Sequence, residues 1–197
     1  IAHQSIDEKI HLVGYSMGGP IIGGFAEKYS DQVKSLSFIA PAGFGKVQTS
    51  FPFFMKIPGV IEWSMHVLAD RFYGSAISSE TTHSSDPLSI NEEEFQQLFS
   101  FQVQFKGFRE SLASTMRNFN LFDAREMFEK VATKNIPSIA IWGDNDGVVS
   151  YRGAETYSEI FHEGKVITIE SGTHDITYRQ PSDVLEAINI FLDSQIP

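Results

Sequence analysis

Three residues of this chain, Ser16, Asp146 and His174, have the side chains and the settings needed for an alcohol to attack an acyl carbon. A serine hydroxyl is a poor nucleophile at neutral pH and needs a base. An imidazole base in turn needs a group that holds its tautomer and stabilises its protonated form. Ser16 sits in Gly14-Tyr15-Ser16-Met17-Gly18, with a glycine two positions before it and another two after. That pentapeptide is weak alone, since chance supplies its three fixed positions in roughly 5–10% of chains this long. Its surroundings say more: an apolar strand-like run (Ile10, Leu12, Val13) precedes it, and a small-residue helix with Pro20 in its first turn follows. A nucleophile on so sharp a strand-to-helix turn calls for nearly side-chain-free neighbours, and Gly14 and Gly18 fill those positions. The helix behind Ser16 points its free N–H groups and positive dipole end at a developing oxyanion, and the Met17 N–H is the donor expected there.

The elements that must gather these residues are legible in the pattern. A strand runs from Ile10 to Tyr15, then a helix to about Tyr29 in which Ile21, Ile22, Phe25 and Ala26 recur at helical spacing. His11 falls in the strand and reads as a packed or half-exposed strand histidine. A second strand, Ser35 to Ala40, carries the continuous apolar run of a strand buried on both faces. After Pro137 come a strand (Ser138 to Trp142), a helix (about Tyr151 to Phe161), a strand (Lys165 to Glu170) and a last helix from Pro181 to about Asp193. This alternation predicts an α/β fold: a mostly parallel sheet with flanking helices and right-handed crossovers. In such a sheet the strand-to-loop ends lie along one edge, and Ser16, Asp146 and His174 each follow a strand at that edge.

Between Phe44 and Lys130 the character changes to helix-forming sequence that holds thirteen of the seventeen phenylalanines. Expected helices run from about Ile57 to Tyr73, from a capping box at Asn91 and Glu94 with an Ile90–Phe95 staple, and from a similar arrangement at Asp123 and Glu126. Gly74 to Ser89 is polar, Ser/Thr-rich loop sequence. The domain reading is therefore a core of 1–43 and 131–197 interrupted by a helical block of 44–130. The phenylalanines serve as a core for that block, with a share left to line an apolar pocket under a closing lid. His66 and His83 lie in the block with no second ligand at metal-binding spacing, so neither a metal nor a cofactor is expected.

Composition narrows the partners. A net charge of -10 with fifteen scattered Lys and Arg argues against a nucleic-acid surface and against acidic membranes. No apolar run reaches the roughly 18 residues of a membrane span. Zero cysteines rule out a disulfide framework and a cysteine nucleophile, and leave the compartment open.

Gly14-Tyr15-Ser16-Met17-Gly18-Gly19, Trp142-Gly143-Asp144-Asn145-Asp146 and Ser171-Gly172-Thr173-His174 resemble, in this order, the nucleophile, acid and histidine motifs of the α/β-hydrolases. The resemblance covers nearly the whole chain and makes the helical block the cap of that family. It implies Ser16 as nucleophile, His174 as base, and Asp146 as the acid, three residues after the strand-ending glycine; Asp144 is the alternative, or else a turn former. Asp175 reads as a loop residue accepting backbone N–H groups, and His162, after a helix, has no such setting. The implied activity is hydrolysis of a small to medium apolar carboxylic ester through an acyl-enzyme, without a cofactor. A serine nucleophile fits carbon–carbon bond hydrolases, thioesterases and monoacylglycerol lipases equally well, and a non-catalytic binding module is the rival from another class. Family members have several strands before the nucleophile strand, and a loop there gives the second oxyanion N–H. The expectation is therefore a C-terminal portion of a larger hydrolase, with Ile10–Tyr15 an open sheet edge covered by a preceding segment or by a second copy of the chain.

Overall fold

The computed structural model describes residues 8–45, 59–60, 85–118 and 123–195. Two compact units divide the chain, Ile1–Lys46 with Leu121–Pro197, and Val47–Asn120. Apart from Gly59 and Val60, the expected helix at Ile57 to Tyr73 falls outside the described residues, as do His66, His83 and all but the end of the Gly74–Ser89 loop.

In the first unit the elements are β1 (Ile10–Tyr15), α1 (Gly18–Lys28), β2 (Val33–Ile39), α4 (Arg125–Ala132), β3 (Ser138–Gly143), α5 (Gly153–Ile160), β4 (Lys165–Ile169), α6 (Ile176–Arg179) and α7 (Pro181–Asp193). The second unit contributes α2 (Glu92–Val103) and α3 (Phe108–Asn118). The sheet has the order β1-β2-β3-β4 and every pairing is parallel. All four strands thus end at the same edge, the edge that carries Ser16 and the loops of Asp146 and His174.

Side-chain alternation sorts the two faces of the sheet. Leu36, Phe38, Ala140 and Trp142 point to one side and meet Ile22 and Ala26 of α1, Phe128 and Val131 of α4, and Tyr157 of α5. Ile39, Ile139, Ile141 and Ile169 point to the other and meet Ile176 of α6 and Val184 of α7. Helices therefore cover both faces, and β2 and β3 are buried through nearly their whole length. β1 is an outer strand among the described residues, with Val13 49% exposed.

The boundary of the helical block lies elsewhere than composition indicates. Phe44 stacks on Phe128 with ring centroids 3.9 Å apart, and both stand edge-on to Phe38 of β2. Phe44, Ala124 and Phe128, which the composition places in the block, thus belong to the sheet's own core. Aromatic enrichment gives a residue's wish for burial, and does not say which core receives it. The start of α4 also differs: its N-cap is Ala124 without a side-chain cap, while Asp123 Oδ1 accepts the Arg125 N–H at 3.4 Å. Glu126 is then one position too early for a capping box and pairs with Lys130 instead. At α2 the expected box is present, with Asn91 Oδ1 accepting the Glu94 N–H at 2.9 Å and Glu94 Oε2 accepting the Asn91 N–H at 3.0 Å. Gly107, at φ 88°, turns the chain into α3, a helix the periodicity did not separate from α2.

Candidate active site

Ser16 lies between β1 and α1 with φ 51°, a left-handed conformation that a serine adopts only under constraint. Backbone hydrogen bonds supply the constraint. The Ser16 N–H donates to Ile39 O at 2.8 Å, and Ser16 O accepts from Gly19 N at 3.0 Å and from Ala42 N at 2.9 Å. The end of β2 thereby clamps the turn from both sides.

Only part of the expected glycine requirement is met where it was read. A Cβ on Gly14 would run into the Gly18 carbonyl, and one on Gly19 would come within 2.6 Å of Pro41 Cβ, whereas Gly18 has open space around it. The close approach after the serine is at Gly19, because the helix turns that residue, not Gly18, onto the loop after β2. Gly14→Ala is expected to destabilise the protein by about 3 kcal/mol or more through overpacking against backbone. Gly18→Ala stays within about 1 kcal/mol of unchanged, since alanine is the better helix former. Denaturant unfolding of the two variants makes the comparison.

Asp146 and His174 arrive on two loops fastened to each other. A Cβ at Gly143 would strike the Gly172 carbonyl, Asn145 N donates to Gly172 O at 2.9 Å, and Asp144 N donates to Ile169 O at 3.2 Å. The turn after β3 and the loop after β4 therefore cross in direct backbone contact, and this brings residues 146 and 174 together.

His174 Nδ1 is 2.8 Å from Asp146 Oδ2, and His174 Nε2 is 3.0 Å from Ser16 Oγ. The Asp146 side chain is fully buried, and its other oxygen, Oδ1, accepts the N–H groups of Val148 at 2.9 Å and Val149 at 2.7 Å. A carboxylate held this way has one oxygen left for the imidazole and cannot rotate away from it. The carboxylate keeps the proton on Nδ1, leaving Nε2 with a lone pair aimed at the serine hydroxyl. Asp144, the alternative acid, is exposed. Met17 is the N-cap residue of α1, so its N–H lies in the first turn at the helix's positive end.

The remaining candidates lie away from this line of contacts. His11 of β1 pairs with Ser35 Oγ of β2 at 2.6 Å, a cross-strand contact, and His162 is an exposed residue after α5. Asp175 takes its donors from side chains, Thr173 Oγ1 and, at 3.1 Å, Arg179 Nε, and not from the backbone N–H groups expected. Among the described residues, no group of three or more His, Cys, Asp or Glu could hold a metal ion, and no helix is long and apolar enough to cross a membrane.

Tyr15 occupies a variable place in the pentapeptide, where no local signal marks a role for it. Its hydroxyl donates to the His174 carbonyl at 2.8 Å, and its ring stacks on the imidazole at 5.3 Å with a 30° tilt. Burial, with the nearby Tyr178, Asp175 and Asp146 adding, pushes the phenol well above its ordinary value. It therefore remains a donor at neutral pH.

A parallel sheet with helices on both faces and a serine, a histidine and a carboxylate in hydrogen-bonded line at its strand ends defines the architecture. Residues 3–179 match the sequence model for the alpha/beta hydrolase fold, and the chain belongs to that family. Among curated proteins it is 27% identical over 199 residues to monoacylglycerol lipase ABHD6 of Mus musculus, covering 93% of this chain and 55% of that protein. It is 25% identical over 188 residues to Lipase 3 of Moraxella sp. (strain TA144), covering 87% and 52% respectively. The chain thus spans about half the length of these relatives. Among solved structures, a bromoperoxidase from Bacillus anthracis superposes with a TM-score of 0.72 at 20% identity, over 94% of this chain and 68% of that one. A thermophilic esterase from Thermogutta terrifontis gives 0.69 at 18% identity, over 100% and 69%.

Proposed function

We propose that the protein is a serine hydrolase that cleaves carboxylic esters of apolar acyl groups through an acyl-enzyme on Ser16. The reading rests on one observation above all: the line Ser16 Oγ, His174 Nε2, His174 Nδ1, Asp146 Oδ2, with contacts of 3.0 and 2.8 Å, on the sheet edge where the strands end. His174 takes the hydroxyl proton as Ser16 attacks the ester carbonyl, and the imidazolium is stabilised by Asp146. The Met17 N–H holds the developing oxyanion. The imidazolium then gives its proton to the leaving alkoxide. Water, deprotonated by the same imidazole, cleaves the acyl-enzyme and frees the serine.

An apolar acyl group is favoured because the helical block carries no cluster of Lys or Arg to hold an anionic head. That block is the element proposed to act as a lid. The curated relatives named as lipases support an ester of a fatty acid over the carbon–carbon and thioester alternatives.

Incubation with a fluorophosphonate at neutral pH tests the proposal. One label per chain, on the tryptic peptide containing Ser16, is the expected result. A folded protein left unlabelled, with ligand binding intact, is the behaviour of a non-catalytic binding module.

A further inference from the structure

Resting on the hydrolase reading above, we infer that Tyr15 is a positioning residue for His174, its hydroxyl fixing the histidine loop and its ring holding the imidazole plane. Three observations carry this. First, the Tyr15 hydroxyl donates to the main-chain carbonyl of His174 at 2.8 Å, a link between residues 159 apart in sequence. Because Tyr15 is the chain neighbour of Ser16, this single bond ties the backbone bearing the nucleophile to the backbone bearing the base. It adds a direct tether to the indirect one that runs through the sheet and the loops after β3 and β4.

Second, the Tyr15 ring lies against the imidazole face at 5.3 Å and is itself held edge-on by Tyr178 at 6.4 Å and 81°. Hydrogen bonds at the two ring nitrogens leave the imidazole free to tilt about the axis joining them. A ring packed on its face resists that tilt, and an aromatic face also attracts the positive charge that the imidazole gains as it takes the serine proton. Third, the phenol is largely buried and remains protonated at neutral pH, so the donated bond persists across working conditions. The groups around the imidazole are Ser16 and Asp146 on its nitrogens, Tyr15 on its face, and Asp175 next in the chain, whose carboxylate is engaged by Thr173 and Arg179.

The two functions of the side chain separate by substitution. Tyr15→Phe keeps the ring and removes the donor; Tyr15→Leu removes both. Active sites are counted by fluorophosphonate titration, and turnover of p-nitrophenyl butyrate is expressed per titrated site, so that loss of folded protein does not enter the rate. The expected result is a graded loss: kcat falls about fivefold in Tyr15→Phe and on the order of 100-fold in Tyr15→Leu, with KM within about twofold in both. A Phe variant with unchanged kcat per titrated site overturns the positioning role of the hydroxyl. A rise in KM at constant kcat overturns the inference as a whole, because it makes Tyr15 a substrate contact. Failure of the unsubstituted protein to titrate at all is a different result, which sinks the hydrolase reading and not the role of Tyr15.

Discussion

Alanine at position 16 is expected to lower ester turnover by about 10⁴- to 10⁶-fold while leaving the unfolding midpoint near that of the parent protein. The size of the effect follows from what remains after the hydroxyl is gone. The chain has no cysteine to substitute as nucleophile, so hydrolysis would depend on direct attack by water beside His174. Each decade of rate is about 1.4 kcal/mol of barrier, so the loss corresponds to roughly 5–8 kcal/mol of transition-state stabilisation. The fold is spared because the Ser16 side chain meets His174 at the end of the strand, whereas the turn is held by main-chain bonds to Ile39 and Ala42. His174→Ala should cost about as much, and the double variant little more, since the two groups act as a unit. Steady-state hydrolysis of p-nitrophenyl butyrate by the three variants measures this. Activity of Ser16→Ala within tenfold of the parent would end the acyl-enzyme account.

The second large effect is at Asp146, where Asn is expected to reduce kcat by about 10⁴-fold with little change in KM. The argument turns on which way the amide must face. Position Oδ1 of residue 146 accepts two backbone N–H groups, from Val148 and Val149, so the carbonyl oxygen of an Asn side chain is required there. The NH2 group is then forced to the Oδ2 position, 2.8 Å from His174 Nδ1. A donor at that point makes Nδ1 the acceptor and moves the imidazole proton to Nε2, where it faces Ser16 and removes the base. The loss thus comes from a wrong tautomer more than from lost charge. Asp144→Asn is the control: its side chain is exposed, and its turnover should stay within about threefold of the parent. Equal losses at 144 and 146 would contradict the assignment of the acid.

How much of this could be read without coordinates differs from residue to residue. The strand-to-helix turn at Ser16 was legible because its geometry is local: a strand pattern, a glycine at 14 and a small-residue helix all fall within a short stretch. The strands Ser138–Gly143 and Lys165–Ile169 and the helix Pro181–Asp193 were found to within a residue at each end, since their apolar periods and the Pro at the helix start are also local signals. Asp146 and His174 were identified as strand-end residues of the right type, and the parallel order of strands made a meeting at one edge natural.

Other features needed partners far apart in sequence. Gly19 is required by Pro41 and Gly143 by Gly172, and neither spacing marks itself in the chain. Phe44 and Phe128 looked like members of a separate helical block because composition records how many aromatic residues a segment has, and not which surface they meet. Tyr15 carried no signal at all, for its contact lies 159 residues away.

The sequence by itself determined the type of fold, the strand ends and the three residue types able to carry acyl transfer, because hydrophobic period and turn chemistry act over a few neighbouring residues. Tertiary structure alone decided what holds the Asp146 carboxylate against the imidazole, what clamps Ser16 at a positive φ, and which aromatic ring covers the histidine. Those are ångström-scale distances between separate loops, and they exist only once the packed sheet has brought the loops together.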